Sequence, residues 1–204
     1  MSQISYPTPV EHSQQGTAKA SNHTRGMALE NAINTANEYY RIHNKAIIYK
    51  KPTPIQVVKT SYPSRNLARI TEAYYTIPST TDYNGIYNGY YIDFEAKETH
   101  QKSFSFARIY PHQINHLKSI DEQGGIAFVI IDFMELNEIW CIAIKDFLIY
   151  YNESLNNEKA PKSINIKKVR EIGYQVSISF APPIDYLEAI DRAIKDNKFN
   201  IKAA

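Results

Sequence analysis

PSTTDYNGIYNGYYIDFEAKET, residues 78–99, is the stretch on which the reading of this 204-residue chain turns. Asn88-Gly89 sits between two aromatic-rich runs. An Asn-Gly pair in that setting is the strongest short signal for a hairpin closed by a two-residue type I′ turn. With those two as the turn, Tyr87 faces Tyr90, Ile86 faces Tyr91, Gly85 faces Ile92, Asn84 faces Asp93 and Tyr83 faces Phe94. Asp82 then faces Glu95, and continued pairing sets Thr80 against Lys97. Opposed residues in such a ladder hold their Cβ atoms about 5 Å apart, so the register brings two carboxylates together.

Strand alternation adds a second constraint. Ile92, Phe94 and Ala96 point to a core, and Asp93, Glu95 and Lys97 point to the other face. Like charges directly opposed in a sheet are unfavourable, and a hard divalent cation offsets them. Mg²⁺ takes oxygen ligands, often one or two carboxylates completed by water and substrate phosphate oxygens. A neighbouring lysine can then stabilise charge on a phosphate. These are the parts needed for metal-assisted attack of water on a phosphodiester. The same residues would also serve as a solvated face with Glu95 paired to Lys97.

The remaining composition bounds the setting. The length suits one domain with a sizeable core. The single cysteine, Cys141, excludes an intrachain disulfide and lies in an apolar strand, where it reads as a small core residue. No run reaches the roughly 20 apolar residues of a membrane span. The start of the chain lacks the pattern of a secretory signal, so no membrane partner and a cytoplasmic location are expected. Net charge is only +2, but residues 39–71 contain no Asp or Glu while holding Arg41, Lys45, Lys50, Lys51, Lys59, Arg65 and Arg69. Cations interleaved with Tyr49, Tyr62, Tyr74 and Tyr75 suit nucleic acid, where rings stack on bases and cations meet phosphates.

Along the chain, residues 1–24 are polar and read as a flexible arm preceding one domain over 25–204. Residues 26–43 show helical periodicity. Strands are expected over 46–51, 55–62 and 68–76, and the basic, proline-bounded segment 52–78 suggests an extended ribbon projecting from the body. A helix follows over 111–120, with proline in its first turn. Residues 125–133 carry the continuous apolar run of a central strand, and 138–144 form another. A helix begins at 145, residues 153–170 read as a polar surface loop, and 184–194 form a last amphipathic helix. The order predicts an α/β domain with a mixed sheet.

Asp82, a spacer and then Glu95-Ala96-Lys97 have the form of the signature of restriction-endonuclease-like nucleases. More specifically, RGMALENAINTANEYY (25–40), KKPTPIQVVKTSYPS (50–64), STTDYNGIYNGYYIDFEAKET (79–99), HQINHL (112–117) and GIAFVIIDF (125–133) resemble the RecU family of Holliday junction resolvases. GYQVSISFAPPIDYLEAID (173–191) resembles the family's C-terminal end more loosely. The resemblance implies a restriction-endonuclease-like mixed β-sheet flanked by helices, with a projecting stalk over about 58–78. It implies Mg²⁺, with Mn²⁺ able to substitute, held by Thr80, Asp82, Glu95 and Gln113. Lys97 would stabilise the transition state and Glu30 would support the site. Arg25 would handle DNA. Lys50, Lys51, Arg65 and Arg69 would hold phosphates, with Tyr74 and Tyr75 on the stalk. Four-way junction DNA, a homodimer, and recombinase or branch-migration proteins are the implied partners.

Two other readings remain beside this one. A related DNA-binding module could have lost cleavage, against which the intact Asp82, Glu95 and Lys97 argue. A restriction-type nuclease would read a duplex sequence, for which an aromatic ribbon is a less usual tool than a helix in the major groove. His112 and His116 have helical i, i+4 spacing, but no cysteine pair or catalytic glutamate accompanies them as at zinc sites. With 7 glycines and no glycine-rich phosphate loop, folds that depend on such a loop are disfavoured.

Overall fold

The computed structural model describes residues 29–64, 67–75 and 80–201. Arg25, Arg65 and the arm expected over 1–24 lie outside the described residues. The first helix, α1 (Leu29–Ile42), buries Leu29, Ala32, Ile33, Ala36, Asn37 and Tyr40, spaced by three and four as one helical stripe. Strand β1 (Ala46–Lys50) follows. β2 (Ile55–Ser64) and β3 (Leu67–Tyr75) pair with each other as a two-stranded antiparallel ribbon. Nearly every described residue of that ribbon is exposed, including Val58, Tyr62, Tyr74 and Tyr75.

The central hairpin is β4 (Tyr83–Tyr87) and β5 (Tyr90–Thr99), with Tyr83 opposite Phe94 and Tyr87 opposite Tyr90. Asn88 and Gly89 have φ values of 49° and 83°. A type I′ turn requires both to be positive. Gly85 answers a different need: a Cβ there would lie 2.0 Å from the Ile47 carbonyl oxygen. Only glycine allows β1 to pair so closely with β4.

The rest of the chain is β6 (Ser103–Ser105), α2 (Pro111–Glu122), β7 (Ile126–Phe133), β8 (Glu138–Ala143), α3 (Ile144–Asn156), β9 (Ser163–Asn165), α4 (Ile166–Ile172), β10 (Tyr174–Gln175), β11 (Ser177–Ile178), β12 (Ile184–Asp185) and α5 (Tyr186–Lys195). A six-stranded sheet runs in the order β1-β4-β5-β7-β8-β10. Among the described residues only β5 and β7 pair in parallel, and α2 makes the crossover between them. The apolar run of β7 divides by alternation. Ile126, Phe128 and Ile130 join a core beneath α1 and α5. Ala127, Val129 and Ile131 join a second core beneath α2, α3 and α4. This is the mixed, helix-flanked sheet of a restriction-endonuclease-like domain.

One segment departs from the sequence reading. Residues 153–170 are not a surface loop: they contain the end of α3, β9 and most of α4. Asn165 caps α4 by accepting from the Lys168 N–H at 3.0 Å. Ile164, Ile166 and Val169 are buried there. The many Lys and Asn residues of the stretch occupy the outer face and obscure that short apolar pattern. Among the described residues no helix is long and apolar enough to cross a membrane.

Candidate active site

Strand β5 turns Asp93 and Glu95 to the α2 side of the sheet. Asp93 and Glu95 are fully buried, opposite Ala127 and Val129 of β7. Lys97, further along the same face, keeps its side chain 23% exposed and ion-pairs with Glu95. Asp82 precedes Tyr83, where the ladder ends, and is held to β5 by its side chain. Its Oδ2 accepts from the Ala96 N–H at 3.0 Å and lies 4.0 Å from the Lys97 ammonium. The expected meeting of Asp82, Glu95 and Lys97 is thus a product of hairpin register and strand alternation.

Helix α2 closes over this set. Its proline start and the exchange between Tyr110 and Gln113 fix its first turn: the Gln113 Oε1 accepts from the Tyr110 N–H at 3.0 Å. The Gln113 amide nitrogen then donates to Glu95 Oε1 at 2.7 Å. As placed, Gln113 orients Glu95 and commits its own oxygen to the helix end. The other carboxylate oxygen, Glu95 Oε2, is buried without a hydrogen-bond partner. Burial, then the nearby Asp82 charge, raise the Glu95 pKa to about 7 against the pull of Lys97.

An unpartnered carboxylate oxygen in a buried pocket is unfavourable unless something else meets it. A cation fits that requirement. Among the described residues no three His, Cys, Asp or Glu side chains gather as a metal cluster. An ion here would therefore draw on two carboxylates and on water or phosphate oxygens, the donor set that suits Mg²⁺. His112 stacks with Tyr110 and His116 turns to Asp93, so the two histidines do not converge.

Beside the pair lies a cleft of about 400 Å³ lined by Glu30, Asp82, Lys97, Glu98 and Arg108 among others. Glu98 accepts from the Leu29 N–H at 2.5 Å and so ties α1 to β5 at the cleft, and Glu30 reaches Lys50 at 2.5 Å across the rim.

The other residues singled out from the sequence fall in three places. Thr80 does not face Lys97; its Oγ1 accepts from Lys51 at 3.1 Å. Lys51 itself is turned inward, its side chain 14% exposed, and binds Asp93 Oδ2 at 2.7 Å. Arg69, Tyr74 and Tyr75 are exposed on the ribbon. Sequence reasoning gave no role to Asp93, Thr81, Tyr91 or Arg108, and weighed His116 only for its helical spacing to His112. The available signal was Asp93, which alternation puts on the face of Glu95 and Lys97.

A helix-flanked mixed sheet that presents an Asp, a Glu and a Lys from its central hairpin defines a nuclease of the restriction-endonuclease-like class. Residues 24–192 match the family described as Recombination protein U, and the chain belongs to this RecU family. It is 47% identical over 173 residues to a Holliday junction resolvase RecU of Staphylococcus carnosus, an overlap of 84% of this chain and 82% of the relative. The Holliday junction resolvase RecU of Pediococcus pentosaceus is also 47% identical, over 84% of this chain and 85% of its own. That of Shouchella clausii is 46% identical, over 82% and 79%.

Proposed function

We propose that this chain is a Mg²⁺-dependent endonuclease that resolves Holliday junctions by paired symmetric nicks in DNA recombination and repair. The observation that carries the reading is the buried, unpartnered Oε2 of Glu95 beside Asp82 and Lys97, on the hairpin of a RecU-family chain. Asp82 and Glu95 would hold the ion, with Mn²⁺ able to replace Mg²⁺. When bound, the ion would polarise the phosphate and supply an activated water. Lys97 would hold the negative charge that develops on the phosphate oxygens. Gln113 would keep the Glu95 carboxylate in one orientation. Two opposed strands need two equivalent cuts, which a two-fold homodimer supplies. Lys50, Arg69 and the ribbon tyrosines would engage DNA outside the reacting centre, so junction binding and cleavage would separate.

The test is cleavage of a labelled four-way junction beside a matched linear duplex, in Mg²⁺ and in EDTA, for wild type and Glu95→Ala. Paired symmetric nicks confined to the junction, dependent on Mg²⁺ and lost in the variant, support the reading. Equal cutting of both substrates indicates a general nuclease. Tight junction binding with no cutting in any divalent metal indicates a binding module.

A further inference from the structure

Beside the carboxylate pair, four side chains with no part in the proposed reaction converge on a fifth, the carboxylate of Asp93. Asp93 is fully buried. Its Oδ1 accepts from the Thr81 hydroxyl. Its Oδ2 accepts from Lys51 Nζ at 2.7 Å and from the Tyr91 hydroxyl at 2.9 Å, and lies 3.1 Å from His116 Nε2. Helix α2 thus sends Gln113 to Glu95 and His116 to Asp93. Residues three apart on one helix face meet residues two apart on one strand face.

Lys51 also grips three successive residues of the chain that carries Asp82. Its ammonium donates to Thr80 Oγ1 at 3.1 Å and to Thr81 Oγ1 at 2.5 Å, and its main-chain N–H donates to the Asp82 carbonyl at 2.8 Å. An ammonium has three protons to give. Thr80, Thr81 and Asp93 take all three, so none is left for a phosphate. The position is telling as well. Lys51 precedes the first strand of the ribbon, which begins at Ile55. Thr80 follows its second strand, which ends at Tyr75 opposite Ile55. Lys51, before the ribbon, and Thr80, after it, thus meet in one contact.

We propose that Lys51, locked by Asp93, is a positioning residue that holds residues 80–82, and with them Asp82, in place for the divalent cation. This deepens the nuclease reading and rests on it. Lys51 acts through Asp82 and makes no contact with substrate.

The test compares wild type with Lys51→Met/Asp93→Asn, which removes both charges and leaves no unpaired ion, and with Lys51→Met alone. Three quantities are read. The first is the dissociation constant for Mn²⁺ without DNA, by electron paramagnetic resonance. The second is junction affinity in EDTA as a function of salt. The third is the Mg²⁺ concentration for half-maximal single-turnover cleavage. Groups that orient metal ligands typically contribute about 10- to 100-fold to metal affinity or activity. The double variant should therefore melt as a folded protein, bind Mn²⁺ at least about tenfold more weakly, and need correspondingly more Mg²⁺. Its junction affinity and salt dependence should match wild type. Weaker junction binding with a shallower salt dependence makes Lys51 a phosphate contact and overturns the proposal. Unchanged Mn²⁺ affinity overturns it too. The nuclease reading fails separately: wild type would bind Mn²⁺ yet leave the junction uncut, while the Mn²⁺ comparison still decides the role of Lys51.

Discussion

Replacing Glu95 by glutamine should stabilise the metal-free protein. Glu95 is fully buried, has one unpartnered oxygen and lies beside the Asp82 carboxylate. Its pKa rises from 4.5 to about 7 on folding. The folded state therefore binds this proton more tightly than the unfolded chain. The group is neutral in both states below pH 4.5, so folding then bears no penalty from it. The penalty grows as pH rises through that value and is complete above about 7. Each pKa unit is worth about 1.4 kcal/mol, so ionised Glu95 destabilises the metal-free fold by up to about 3 kcal/mol at pH 8. Glutamine keeps the shape and the Gln113 contact without the charge. Urea denaturation in EDTA should show Glu95→Gln more stable than wild type by about 2–3 kcal/mol at pH 8, or about 5–10 °C in Tm. The gain should shrink to under about 1 kcal/mol at pH 5. Mg²⁺ should raise the stability of wild type and leave the variant unchanged. A variant less stable than wild type at pH 8, or a gain that does not fade towards pH 5, would refute the idea that this carboxylate is held at the expense of the fold.

Other outcomes follow from the same geometry. Asp82→Ala should lower single-turnover junction cleavage by at least about 100-fold, because metal stabilisation of the transition state is worth several kcal/mol; gel shifts in EDTA should still show junction binding. On the ribbon, Lys59→Ala/Arg69→Ala should flatten the dependence of log affinity on log salt by roughly 0.9 for each phosphate that is no longer neutralised. Alanine at the exposed Tyr74 and Tyr75 should weaken junction binding by about 1–3 kcal/mol for each ring that stacks on a base, with little change in Tm. Gly85→Ala would drive a Cβ to 2.0 Å from the Ile47 carbonyl oxygen and should lower stability by about 1–3 kcal/mol, read by thermal melting.

Local signals carried the reading far at the hairpin and less far elsewhere. Asn88-Gly89 fixed the register, and period-two alternation then placed Glu95, Lys97 and Phe94 on their observed faces. Thr80 escaped the same logic because the ladder ends at Tyr83 and the chain turns Thr81 inward to Asp93. Lys51 looked like a phosphate ligand because it lies in a run without acidic residues. Its buried partner comes from a strand 42 positions later, and charge patterning along a sequence has no access to such a pair. The α4 region failed for a different reason: its buried face is only Ile166 and Val169 within a helix of 7 residues, too short for periodicity to stand out from its lysines.

Asp93 and Glu95 make the deeper point about how a site is told from a scaffold. Both are acidic, both are fully buried, and they sit two residues apart on one face of one strand. From sequence they are equivalent candidates. What separates them is satisfaction. Asp93 has partners on both oxygens, a full-time cation among them, which is the condition under which a buried carboxylate serves structure. Glu95 shares its lysine and its glutamine on one oxygen and leaves the other bare. A fold that can furnish hydrogen-bond donors for Asp93 from four different segments had the means to do so for Glu95. Asp82, whose charge helps to raise the Glu95 pKa, lines the adjoining cleft, so the carboxylate pair is met at a place that a ligand from outside the chain can reach.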